Sequence, residues 1–278
     1  MQPSDPAANN SKLVHATPND PPWNSPVAIG VWFASVLAIV IFPAILLLPY
    51  LISLKGQFAD NVALAEYMQS DPIAILLQVI AIIPAHAATL LLAWLVVTNN
   101  RRFSFRQTLG WTSGGFKWWH YIVILVAFFA LAGTVNSFYP EQDNDLMRML
   151  RSSRTAVFFV AFMATFTAPL VEEVIYRGIL YSAFQRTFGV AAAVAAVTFL
   201  FALVHVPQYY PSVSTIFLLT LLSLMLTLIR VKTGSLLPCI IFHTLFNGIQ
   251  SLFLILEPYI PNPTAIPDPA PAIFLLLK

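Results

Sequence analysis

The chain has 278 residues, of which 58% are hydrophobic and only 9% charged, with a formal net charge of +2. A soluble domain carries about 25% charged residues, so this composition excludes an ordinary soluble fold and points to an integral membrane protein. No basic run offers a surface for nucleic acid, and a single cysteine, Cys239, excludes an intramolecular disulfide or a cysteine-rich metal cluster.

Residues 1–27 are polar and proline-rich, which predicts a disordered tail. They lack the basic start and short apolar core of a secretory signal. Seven apolar runs long enough to cross a bilayer follow, at 28–53, 73–98, 119–138, 155–187, 189–206, 212–229 and 235–256. The expected fold class is all-α, a polytopic transmembrane bundle of about seven helices. The fourth and fifth runs make one hairpin that turns near Phe188 and Gly189. The chain thus divides into the tail, N-terminal helices and loops over 28–154, a helical core over 155–256, and a proline-rich segment over 257–278. The last segment ends in AIFLLLK, too short to span alone, which predicts a dip into the bilayer or packing on the bundle.

Positive charge marks the cytoplasmic loops of a membrane protein. The second connection holds Arg101, Arg102, Arg106 and Lys117 with no acid; the fourth has Arg186, and the sixth has Arg230 and Lys232. The first holds Lys55 against Asp60, Glu66 and Asp71. The third mixes Arg148, Arg151 and Arg154 with Glu141, Asp143 and Asp145, and its MRMLRSSR stretch reads as lying flat at the interface. The alternation places the N-terminus in the cytoplasm and the end of the seventh helix outside, in a cell (inner) membrane. Trp111, Trp118, Trp119 and Tyr121 flank the third span as an aromatic belt.

Two adjacent carboxylates, Glu172 and Glu173, lie inside the fourth span. An ionised group at that depth costs roughly 3 kcal/mol on insertion scales and usually marks a functional site. Three short patterns surround this feature: EEVIYR at 172–177, FALVH at 201–205 and HTLFN at 243–247. Glu173 and Arg177 are i,i+4 neighbours and can pair, whereas Glu172 lies about 100° further round the helix. His243 and Asn247 share a helix face, and Phe201 sits one turn before His205, where it packs beneath the imidazole. Glu172 precedes Phe188 by sixteen residues and His205 follows Gly189 by sixteen. Each hairpin arm is thus about 24 Å long and the two side chains reach matching heights. His243 reaches the same height if the hairpin turn projects about 10 Å beyond the start of the seventh helix.

These patterns resemble the three signatures of the CPBP intramembrane proteases, EExxxR, FxxxH and Hxxx(N/D), in order and without substitution. The family, also called Abi or CAAX-protease-related, includes type II prenyl-protein (CAAX) endopeptidases and bacteriocin-processing or immunity proteins. The resemblance covers roughly Ala156–Phe253. It implies an intramembrane endopeptidase acting on a membrane-associated peptide or protein within the lipid bilayer. The candidate catalytic residues are Glu172, Glu173, His205, His243 and Asn247, with Arg177 and Phe201 in support.

In the preferred mechanism Glu172 activates a water that His205 orients, since an apolar surrounding strengthens a carboxylate as a base. His243 and Asn247 donate to the developing oxyanion, worth roughly 3 kcal/mol per donor in other hydrolases. A metalloprotease version uses Glu172, His205 and His243 as three Zn²⁺ ligands with water in the fourth position. The chain has no HExxH, and Glu172 cannot easily serve as both ligand and base, so the metal-free route is preferred. Ser182 and Ser223 lie in apolar helices without a GxSxG elbow, which argues against a serine nucleophile.

Buried polar residues in membrane bundles often only bind helices together. His86, alone after Pro84, is read in that way. Pro169, three residues before Glu172, is read as opening the helix at the site. A proton-coupled transporter is a competing function, but no internal repeat supports it. A non-catalytic scaffold or immunity protein is another, and replacing Glu172 by Gln separates it from a protease.

Overall fold

In hydrocarbon a backbone must satisfy its own N–H and C=O groups, and each apolar run does so by closing into a helix. The computed structural model describes residues 16–142, 145–256 and Tyr259. In chain order its helices are α1 (Ser25–Ser53), α2 (Asn61–Ser70), α3 (Pro72–Val97), α4 (Phe105–Leu109), α5 (Trp118–Phe138) and α6 (Asp145–Ser152). They continue with α7 (Arg154–Phe188), α8 (Val190–Tyr209), α9 (Val213–Thr233) and α10 (Leu237–Leu256). Seven of these, all but α2, α4 and α6, are long and apolar enough to cross a membrane. The chain is an integral, multi-pass, all-α membrane protein, with no named strand among the described residues. The apolar end over 272–278 lies outside them.

Local chemistry sets the boundaries. Asn24 and Asp71 cap α1 and α3, their side chains accepting from Val27 N and Ala74 N, and a proline opens each helix. Two tight turns need left-handed backbone: Gly189, at φ +84°, joins α7 to α8, and Gly234, at φ +62°, joins α9 to α10. The hairpin therefore turns where the sequence places it, while α9 runs on to Thr233 rather than stopping at 229.

α7 is the axis of the bundle. Every residue from Glu173 to Phe184 is buried, as expected of a helix apolar on all sides. The largest core cluster surrounds this stretch, with Ala93 and Val97 from α3, Ala193, Val197 and Phe201 from α8, and Ala28 and Val31 from α1. A second cluster joins α5, α9 and α10 through Phe128, Leu226, Phe242 and Phe246.

Part of the expected disordered tail is instead docked. Trp23 is 4% exposed and its Nε1–H donates to Ile179 O at 3.0 Å. Arg186, at the end of α7, donates to Asp20 Oδ1 (3.1 Å), Pro21 O (2.7 Å) and Trp23 O (2.8 Å). Buried Arg230 of α9 donates to Pro18 O at 2.8 Å. The physical reason is that two arginines at helix ends need acceptors, and the backbone carbonyls of residues 18–23 supply them. Trp23→Ala removes a buried aromatic and its hydrogen bond, so thermal unfolding in detergent should show a loss of about 3–5 kcal/mol.

Candidate active site

α7 departs from α-helical winding twice, at Met163–Thr167 and Val174–Leu180, where the turns widen to π geometry. Such turns frequently occur at functional sites. The first has a cause in the sequence. Ala168 N–H donates to Met163 O, five residues back. In that register the partner of Ala164 O is Pro169, which has no N–H. The Asn247 side chain takes the vacant place, its Nδ2 donating to Ala164 O at 2.8 Å. The proline at the site thus leaves a carbonyl that fixes an amide on another helix.

Glu172 and Glu173 lie between the two π turns and face different surroundings. The Glu173 side chain is fully buried, while that of Glu172 is 24% exposed. Glu173 Oε1 accepts from Arg177 Nη1 at 2.9 Å and from His243 Nδ1 at 2.8 Å. Its Oε2 is buried without a protein partner among the described residues, so one oxygen carries both bonds. Arg177 spends its remaining donors on α9, with Nε to Thr227 Oγ1 at 3.2 Å and Nη2 to Ser223 O and Oγ at 2.8 Å each. Its guanidinium lies over the Phe201 ring at 4.8 Å, and His205 stacks against that ring at 4.6 Å. Phe201 thus lies between the guanidinium and the imidazole.

The ring nitrogens follow from their partners. His205 Nδ1 is 2.7 Å from Phe201 O, a carbonyl that only accepts, so Nδ1 carries a hydrogen. In neutral His205 this leaves Nε2 as an acceptor. His243 likewise commits Nδ1–H to Glu173, and its Nε2 faces Glu172 Oε2 at 3.8 Å. That spacing exceeds a direct hydrogen bond.

A cavity of about 760 Å³ adjoins these groups, within the range of ligand sites. Glu172, Phe201, His205, His243 and Asn247 line it; Glu173 and Arg177 do not. Sequence spacing groups Glu173 with the catalytic set, whereas the structure places it behind His243. Phe128, Phe129 and Phe246 form an aromatic wall, with Phe129 and Phe246 stacked at 5.2 Å. Sequence reasoning missed this wall because it is apolar sequence among apolar sequence. Ser223, set aside as a nucleophile, is an arginine partner. His86 donates to or accepts from Thr167 Oγ1 at 3.0 Å and braces the first π turn, in keeping with a packing histidine.

Among the described residues no three His, Cys, Asp or Glu side chains gather so as to hold a metal ion. Glu172, His205 and His243 do not form the triad of ligands that zinc would need.

Residues 154–249 match a family model described as Type II CAAX prenyl endopeptidase Rce1-like. The match covers about a third of the chain, and over that segment the chain is similar to this family. All seven residues singled out by the sequence fall inside it, consistent with the CPBP resemblance. The Rce1-like match supports a CAAX-type protease, and the apolar helices place that segment in a bilayer. No curated protein and no solved structure matches the chain.

The Glu173–Arg177 pair within the matched segment is dry, and breaking one partner of such a pair costs about 3–5 kcal/mol. Arg177→Ala should lower thermal stability in detergent by that amount. Arg177→Lys should recover only part of it, because an ammonium cannot span Glu173, Thr227 and Ser223 together.

Proposed function

We propose that this protein is an intramembrane endopeptidase in which Glu172 is the general base. The observation that carries the reading is the division of labour between neighbouring carboxylates. Glu173 is sealed in an ion pair, while Glu172 faces a cavity also lined by His205, His243 and Asn247.

A water beside Glu172 gives a proton to the carboxylate while its oxygen attacks the peptide carbonyl carbon. His205 Nε2, an acceptor because Nδ1–H serves Phe201 O, takes a hydrogen bond from the same water and fixes its direction. The carbonyl oxygen becomes an oxyanion. Asn247 has a second amide hydrogen beyond the one given to Ala164 O, and His243 in its protonated form donates from Nε2. The carbon–nitrogen bond then breaks as the neutral Glu172 carboxyl returns its proton to the leaving amine. Every proton is accounted for without a further cofactor. The substrate is a membrane-associated polypeptide, and the family name makes a CAAX-type C-terminal segment the first candidate to assay.

Purified protein in nanodiscs tests this against a membrane-peptide library. Glu172→Gln should lose about 10²–10⁴-fold in cleavage rate, and Asn247→Ala about 10²–10³-fold in kcat. A chelator should leave the rate unchanged; chelator-sensitive cleavage would instead require a metal. Equal cleavage by wild type and Glu172→Gln would overturn the assignment, and a scaffold function would survive the substitution.

Pro169→Ala is a second, independent handle. It supplies an N–H for Ala164 O and so competes with Asn247 for that carbonyl. The expected outcome is a reduced kcat with thermal stability equal to or above wild type. A variant with unchanged kcat would mean that Asn247 does not need this anchor.

A further inference from the structure

One face of α8 carries three rings, each a turn apart. Phe201, His205 and Tyr209 follow one another at four-residue intervals, and four residues of helix rise about 6 Å. Phe201 and His205 pack at 4.6 Å, and the His205 and Tyr209 rings lie 21° from parallel with centroids 6.5 Å apart. His205 and Tyr209 both line the cavity. The mechanism uses the imidazole and leaves the phenol without a role.

Glu172, Phe201, Leu222 and His243 are the deepest lining residues of their helices and form the cavity floor. Tyr209 stands one turn nearer the mouth than His205. Its backbone is fixed there: Tyr209 ends α8, and its carbonyl accepts from Ser212 N–H at 2.8 Å. Ser212 Oγ in turn accepts from Gln142 N–H at 3.3 Å, and Thr215 Oγ1 donates to Glu141 Oε1 at 3.2 Å.

The Tyr209 hydroxyl takes no part in this bracing. Among the described residues it has no hydrogen-bond partner, although the side chain is half-buried and lies in the field of both Glu172 and Glu141. A tyrosine hydroxyl drawn out of water usually finds a partner. Here the donor is left for whatever fills the cavity.

We propose that Tyr209 sets the register of the substrate, its hydroxyl donating to a backbone carbonyl two residues before the one attacked. An extended chain advances about 3.3 Å per residue and presents the same face at every second residue. Two residues of substrate therefore match the step of about 6 Å from His205 to Tyr209. The direction follows from the shape of the site. With Glu172 at the floor, the bulk of a substrate cut near its C-terminus leaves by the mouth, so the residues that pass Tyr209 are those before the cut. The proposal rests on the endopeptidase reading and adds to it a side chain that selects which bond is cut.

The test uses the full chain in nanodiscs and a prenylated peptide that ends in a CAAX-type segment. A second peptide has an ester in place of the amide whose carbonyl Tyr209 holds, which weakens that acceptor. A third has the ester one residue nearer the cut. Tyr209→Phe keeps the ring beside His205 and removes only the hydroxyl, so its thermal unfolding should match wild type. Its KM for the amide peptide should rise about 3–10-fold, as for one neutral hydrogen bond. The loss should fall on KM rather than on kcat, because the contact is the same in ground and transition states. The second peptide should bring wild type to that same KM without further loss in Tyr209→Phe, and the third should affect both proteins alike. An unchanged KM in Tyr209→Phe, or an equal penalty from the second peptide in both proteins, overturns the proposal.

Dissociation constants of the same peptides for Glu172→Gln, with and without Tyr209→Phe, repeat the comparison in the absence of turnover. Equal cutting by wild type and Glu172→Gln sinks the protease assignment, while the binding difference still decides the role of Tyr209. A Glu172→Gln protein that holds none of the peptides overturns that role.

Discussion

One guanidinium in a dry interior fixes the geometry of the whole site. Arg177 cannot be hydrated where it lies, so each of its donors must find a protein acceptor. Those acceptors sit on its own helix and on α9, while its face rests on Phe201 of α8. Through Glu173 Oε1 the same network holds His243 of α10. Four helices are thereby set at one height, and the two imidazoles are oriented by contacts that lead back to this residue. Lysine would deliver equal charge but no planar fork to divide among three partners and no flat face to lay on a ring.

The winding of α7 does complementary work. An unbroken α-helix leaves no carbonyl free in its interior, and a free one in an apolar surrounding would be costly. The π turn before Pro169 creates one such carbonyl, and Asn247 satisfies it from α10. The second π turn begins directly after Glu173. The two carboxylates therefore occupy a short α-helical stretch held between irregular turns, with Glu172 facing the cavity and Glu173 facing the packed helices. A cavity-facing carboxylate and a sealed one are adjacent in sequence, separated by their direction around a helix.

Much of this was legible in the sequence. Seven apolar runs, the turn at Gly189 and the Glu173–Arg177 spacing predict the bundle, the hairpin and the ion pair. The height matching of Glu172 and His243 depends on how far a turn projects, and their approach to 3.8 Å is consistent with it. The burial of Glu173 away from the cavity was not legible, because a helical angle of 100° gives separation but not which side is open. Neither was the π winding, since a uniformly apolar run has no periodicity to lose. The docking of residues 16–24 was hidden for another reason: most of its acceptors are backbone carbonyls, which every residue has. Trp23 was the one visible signal, a large aromatic in a polar stretch.

That docked segment has a consequence for how the protein is made. Trp23 meets Ile179 across 156 positions of chain, and Pro18 meets Arg230 across 212. These early residues can settle only after α7 and α9, far downstream, have been inserted. Until α9 arrives, Trp23 and the carbonyls of residues 18–23 have no place to go, and the arginines at the ends of α7 and α9 wait with them. The α7–α8 hairpin is therefore locked by a segment made long before α9, late in assembly rather than early.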